Sequence, residues 1–118
     1  MPKMELIHTA RFKADLEFYL VKRGYKKIID DLDPALYEIG QGRFPGSKLE
    51  NRSFNGVDVY KVGTANSSAD TGKSGGFRVL YYPVNNDKVY LLTVYSKKDA
   101  ENIPADSQVQ YWAEGILK

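Results

Sequence analysis

Apolar positions in this chain change their period partway along. Phe12, Leu16, Tyr19, Leu20 and Arg23 recur at helical spacing, with Arg11, Lys13, Asp15, Glu17 and Lys22 placed elsewhere on the surface. Thr9 is suited to cap this helix and Gly24 to end it. The spacing predicts a second helix from Tyr25 that turns Ile28, Ile29 and Leu32 inward. Pro34 cannot continue that helix without breaking the hydrogen-bond ladder; a further turn through Leu36, Tyr37 and Ile39 is expected beyond it. The two helices form an αα-hairpin. Residues 4–8, ahead of them, read as a short strand.

Beyond residue 56 the strand signals dominate. Segments 57–62, 77–84 and 88–97 are rich in Val, Tyr, Leu and Phe. Asn85-Asn86-Asp87 marks a tight turn between the last two. Residues 40–56 are full of turn formers and read as a loop. Residues 63–76 have almost nothing to bury and are expected to be a long, mobile hairpin loop. A last helix is predicted from Ala105 or Asp106 to Leu117, with Val109, Trp112, Ala113 and Ile116 as its apolar stripe. The order is β-α-α-β-β-β-α. It implies an α+β fold with helices packed on a mostly antiparallel sheet of about four strands.

Composition narrows the chemistry. The 118 residues suit one domain with one core. The absence of cysteine excludes a disulfide framework, a thiolate zinc site and a cysteine nucleophile. A single histidine, His8, excludes a multi-histidine metal site, and Asp30, Asp31 and Asp33 lack further ligands. No metal and no cofactor are expected. Apolar runs are far short of the ~20 residues of a membrane helix, and the first residues lack the apolar segment of a signal peptide. A soluble, cytoplasmic protein with no membrane partner is therefore expected. Residues 1–42 balance seven basic against seven acidic side chains; residues 43–118 hold ten basic and eight acidic, which supplies the whole net charge of +2. Any polyanion site must then be a local cluster.

Such a cluster follows from the predicted register of the last hairpin. With Asn86-Asp87 as a two-residue tip, Val84 faces Val89, Tyr82 faces Leu91 and Arg78 faces Tyr95. Arg78, Leu80, Tyr82, Leu91, Thr93 and Tyr95 would share one face. Phe77, Val79, Tyr81, Tyr90, Leu92 and Val94 would lie on the other, against helices. Lys97 follows Tyr95 on the same face, Lys61 lies near the end of the preceding strand, and Lys73 lies in the loop before Arg78. One end of the sheet thus gathers Lys61, Lys73, Arg78, Tyr95 and Lys97 without a carboxylate among them.

Cations beside a phenol suit a phosphodiester. Arginine grips two phosphate oxygens through its planar fork. A lysine crowded by other cations gives up its proton more readily and can take one from a ribose 2′-hydroxyl. An aromatic ring can stack on an unpaired base. Together these groups would support metal-free RNA cleavage by the 2′-oxygen. Plainer readings stand beside this one. The lysines suit a solvated sheet end, Arg78 an ion pair with a helix carboxylate, and Tyr95 a packing role. His8 reads as a satisfied or exposed residue. Thr71-Gly-Lys-Ser-Gly-Gly76 lacks the earlier glycine and the strand-to-helix context of a nucleotide-binding phosphate loop.

The segment Gly72-Lys-Ser-Gly-Gly-Phe-Arg-Val-Leu-Tyr-Tyr82, followed by Val89-Tyr-Leu-Leu-Thr-Val-Tyr-Ser-Lys97, resembles the RelE/HigB superfamily of toxins, and its HigB-like branch in particular. Asp33-Pro34, Gly40-Gln-Gly42 and the order of elements extend the likeness across most of the chain. The resemblance implies a RelE-like fold and the toxin half of a type II toxin–antitoxin pair. It implies a ribosome-dependent endoribonuclease that enters the ribosomal A site and cuts mRNA. It also implies a cognate antitoxin as partner, a HigA-like helix-turn-helix protein through which alone operator DNA is met. On this likeness Arg78 contacts the scissile phosphate and Lys61 and Lys97 are basic catalytic residues; Tyr95, which the predicted register sets opposite Arg78, is read as the fourth member of the catalytic set. Lys73, Lys98 and Tyr82 are then RNA-binding. The alternative is a catalytically inactive module of the same kind, which binds an antitoxin and acts in operon autoregulation.

Overall fold

A computed structural model of the chain describes residues 3–49, 58–84 and 87–117, with Ile116 and Leu117 described by backbone alone. A short strand, β1 (Glu5–His8), leads into α1 (Ala10–Glu17). The Thr9 hydroxyl accepts from the Phe12 N–H at 3.2 Å, the expected N-cap. The helix then widens into a π-helical turn over Phe18–Lys22, closed by the Arg23 N–H on the Phe18 carbonyl at 3.2 Å. This wider turn breaks the even helical spacing read from the sequence. Tyr19 stays buried, but Leu20 turns outward and is 41% exposed.

The second helix, α2 (Ile28–Gly40), starts three residues later than expected. It also runs through Pro34 without a break, contrary to the expected interruption. A proline inside a helix costs about 3 kcal/mol. Burial of Ile28, Leu32 and Ile39, at ~1.5–3 kcal/mol each, offsets that cost. Pro34 faces solvent, so the carbonyl left without its N–H is not sealed away from water. Ile29 is 54% exposed, not inward.

Four more strands follow: β2 (Ser47–Lys48), β3 (Tyr60–Thr64), β4 (Phe77–Val84) and β5 (Lys88–Ser96). The short β2 lies inside the segment read as a loop and adds a fifth strand. Val57, expected to open the second predicted strand, and Asn85-Asn86 of the predicted tight turn lie outside the described residues. The sheet order is β1-β5-β4-β3-β2, antiparallel throughout except that β1 runs parallel to β5. The last helix, α3 (Asp106–Leu117), closes the chain. The fold is thus α+β with a mostly antiparallel sheet. No helix among the described residues is long and apolar enough to cross a membrane.

Both faces of the sheet are packed. Phe12, Tyr19, Ile28, Leu32 and Ile39 cover Phe77, Val79, Tyr81, Leu91 and Val94 on one side. Val109 and Ala113 of α3 cover Leu80, Tyr82, Leu92 and Tyr95 on the other. The register explains this division. Arg78 does face Tyr95, as predicted, but Tyr82 faces Tyr90 and not Leu91. Tyr81 pairs with Leu91 and Leu80 with Thr93, so Leu92 is an extra residue, a β-bulge. The bulge puts Leu91 with the helices α1 and α2 and puts Leu92 under α3, the reverse of the expected faces.

Beyond the end of β1 the outer edge of β5 is sealed by side chains. The Val94 N–H donates to Asp15 at 3.3 Å, and the Ser96 N–H to the Tyr19 hydroxyl at 2.8 Å. Thr93 also donates its hydroxyl to Asp15. The π-helical turn, by keeping Tyr19 inward, places that hydroxyl on the strand edge.

Candidate anion-binding cleft

Cross-strand pairs decide which cations meet. Lys61 pairs with Leu80, and Gly63 with Arg78. Partners in a ladder share a face, so Lys61 and Arg78 lie on the same side of the sheet as Tyr95. Lys61, Lys73 and Arg78 line one open cleft of about 370 Å³, together with Gly46, Ser47, Val62 and Gly63. Among the described residues no carboxylate lines it. Gly63 is what lets the arginine lie there. A Cβ at that position would stand 2.8 Å from Arg78 Nη1 and 3.0 Å from its Cζ, so the guanidinium rests on bare backbone.

Arg78 is half-buried and makes no ion pair among the described residues. Its Nη1 donates to the Lys73 carbonyl at 2.7 Å and to the Phe77 carbonyl at 3.1 Å. These bonds fix the fork and leave Nε and Nη2 without a described partner. The ion pair with a helix carboxylate, weighed as an alternative from the sequence, is not formed. A cation held by carbonyls keeps its full charge for a ligand, with no internal anion to displace.

Lys73 arrives by a route the sequence did not disclose. The 63–76 segment, expected to be mobile for want of an anchor, has one in Asn66, which is 1% exposed. The Asn66 side chain accepts from the Ala69 N–H at 3.3 Å, and its backbone bridges to Thr71. Asp31 of α2 accepts from the Ser67 N–H at 2.9 Å and from its hydroxyl at 3.1 Å. Two 3₁₀ turns, Ser67–Ala69 and Lys73–Gly75, carry the chain back to β4. A polar residue anchored through hydrogen bonds leaves no apolar trace for a pattern search.

The remaining predicted site residues are not all brought together. Tyr95 is 6% exposed and packs with Val109 and Ala113 beneath α3. Burial pushes its phenol pKa up; the nearby Arg78 guanidinium works against this, and Asp106 adds to it. Lys97 and Lys98 follow β5, both exposed. The Lys97 N–H donates to the Gly76 carbonyl, and the Lys98 stem lies over Gly75, so both sit at the Arg78 end of the hairpin without lining the cleft. Tyr82 sits four residues further along β4, buried under α3 with Asp58 nearby, and takes no part in the cluster.

A second cleft of about 360 Å³ lies on the other side of β3, between that strand and α2. Asp30, Asp31 and Glu38 line its helix wall; Val62, Gly63, Thr64 and Ala65 line its strand wall; Lys73 lines this cleft as well as the first. Sequence reasoning missed this partner cleft and missed Gly63. The only trace of Gly63 is a glycine interrupting a strand, which often marks a close approach. Among the described residues no group of His, Asp or Glu side chains is arranged to hold a metal ion. Comparison with models of known protein families finds no match for this chain, and comparison with curated proteins finds none either.

Proposed function

We propose that the chain is the endoribonuclease toxin of a type II toxin–antitoxin pair, acting on mRNA in the ribosome and inhibiting translation. The observation that supports this reading is the cleft in which Arg78, Lys61 and Lys73 converge with no carboxylate among its described lining residues. In this reading the free edge of the Arg78 fork holds the scissile phosphate and Lys73 a neighbouring one. Lys61, which lines the cleft, takes the proton from the ribose 2′-hydroxyl. The 2′-oxygen bonds to phosphorus, the bond to the 5′-oxygen breaks, and that oxygen leaves with a proton. The products are a 2′,3′-cyclic phosphate and a free 5′-hydroxyl. Charge gathers on the phosphoryl oxygens in between, and the fixed guanidinium stabilises it there. Tyr95 stays protonated at neutral pH and positions Arg78 from below, with Lys97 as the reserve proton carrier at the same sheet end. A cytoplasmic location and an antitoxin partner of the helix-turn-helix kind belong to the same proposal.

The test is induced expression together with cleavage of a reporter mRNA on ribosomes. Wild-type protein should arrest growth and cut the message. Arg78→Ala should lower cleavage ~100–1000-fold, the usual cost of one fixed charge-stabilising donor. A harmless wild type that leaves the message whole overturns the reading. The second reading, a non-cutting module that only binds an antitoxin, is favoured by the burial of Tyr95, because no exposed phenol then faces the cleft. It predicts a tight complex with the product of the neighbouring gene and no toxicity.

A further inference from the structure

We propose that the outer edge of β3 at Gly63 is a docking site for an extended peptide strand carrying an acidic and a basic residue side by side. β2 covers β3 at Tyr60 and Lys61, and Gly46 lies against Val62, so among the described residues no strand covers the edge from Gly63 onward. The direction of each backbone group follows from ladder alternation. The Val59 carbonyl accepts from the Leu49 N–H and therefore faces outward. In an antiparallel strand every second residue does the same, which sends Lys61 and Gly63 outward. Close approaches elsewhere agree: a Cβ on Gly46, outside the edge, would strike the Lys61 carbonyl, and one on Gly76, in line with β4, would strike the Thr64 carbonyl. Gly63 thus presents an N–H and a C=O to the open edge, with no hydrogen-bond partner for either among the described residues. That is the template to which a strand adds.

The two clefts define what such a strand must carry. They lie on opposite sides of this one edge and meet at Val62, Gly63 and Lys73. Successive side chains of an added strand point to opposite faces. One would enter the cleft of Lys61 and Arg78; its neighbour would enter the cleft of Asp30. Asp30 is the available carboxylate on that wall, since Asp31 is committed to Ser67 and Glu38 to Arg43. Charge complementarity therefore asks for an acidic residue adjacent to a basic one. A nucleic-acid strand laid along the whole edge would bring phosphates against the α2 carboxylates, whereas a peptide of mixed charge satisfies both walls. This inference does not depend on catalysis.

A labelled peptide of about eight residues, β-forming with a central Glu-Lys pair, tests it by fluorescence anisotropy. Binding should weaken about tenfold when the pair is made Gln-Gln, and by a similar factor with Arg78→Gln or Asp30→Asn. Scanning N-methylation along the peptide should show a period of two: methyl groups on amides facing Gly63 abolish binding and those on the alternate amides do not. Equal affinity for all methylated peptides, or no affinity for the Glu-Lys peptide, overturns the proposal. If a short single-stranded RNA binds and the peptide does not, docking fails while the nuclease reading stands. If the peptide binds a chain that cuts no RNA, the docking site stands and the nuclease reading falls.

Discussion

Arg78 is oriented by two carbonyls and a missing side chain, not by a countercharge. Gly63→Ala tests this directly. The new methyl would displace the far end of a flexible side chain, so the fold should survive with little change in melting temperature. Binding of single-stranded RNA should weaken nonetheless, because the fork loses its seat; unchanged RNA affinity would refute that role. Asp15 carries a different burden. Burial lifts its carboxyl pKa above the ordinary value, opposed by the Thr93 hydroxyl, Arg11 and the Val94 N–H. A carboxyl whose native pKa is raised is charged in both states at high pH and then weakens the fold. The native state binds the extra proton, so this destabilisation fades as pH falls through the native value toward the ordinary value near 4. Urea midpoints measured from pH 3 to 7 should show this component in wild type and lack it in Asp15→Asn. Tyr81 donates its hydroxyl to the Pro45 carbonyl at 2.5 Å, and burial raises its pKa strongly. Tyr81→Phe leaves that carbonyl unpaired and should lower stability by about 1–3 kcal/mol in denaturant titration.

Elements were legible where apolar spacing fixed them. β1, the start of α1, all of β4, most of β5 and α3 follow from period and caps. The pairing of Arg78 with Tyr95 followed too, although the tip of the same hairpin did not. The reason is Leu92: one inserted residue leaves each half of the strand regular and shifts only their relation, which no local pattern reveals. The unbroken α2 was hidden because Pro34 is a local rule overridden by burial of the helix face. The structured 63–76 segment was hidden because its anchor is polar. That segment also depends on backbone contact. A Cβ on Gly76 would lie 1.9 Å from the Thr64 carbonyl oxygen and 2.9 Å from Ala65, where only backbone can yield. Gly76→Ala should therefore lower the melting temperature by at least ~5 °C. A neutral result would mean that the return from the loop into β4 is looser than described.

At the scale of the whole molecule, charge is nearly balanced and the cleft must act locally. Of the candidate site, Arg78, Lys61 and Lys73 were legible together, while the facing carboxylate cleft was not, because α2 and β3 meet only in the fold. Three cations against single-stranded RNA give a slope of log K on log salt of about −2, from ~0.7 per phosphate neutralised. A filter-binding series across salt concentrations checks this; a much steeper slope would place the binding surface elsewhere. The sheet also has one sealed flank: Asp15 and Tyr19 occupy the strand edge that β1 leaves uncovered.

Leu92 carries one more implication. In a regular strand, excising a residue turns every later side chain over to the wrong face. Here Tyr81–Leu91 and Leu80–Thr93 are already consecutive partnerships, so a chain lacking Leu92 could keep both in an uninterrupted ladder. The excision would cost one buried leucine and some local twist, yet leave both hydrophobic layers with their own residues. The middle of β5, the most enclosed strand in the molecule, is thus a place where length can vary without changing what faces what.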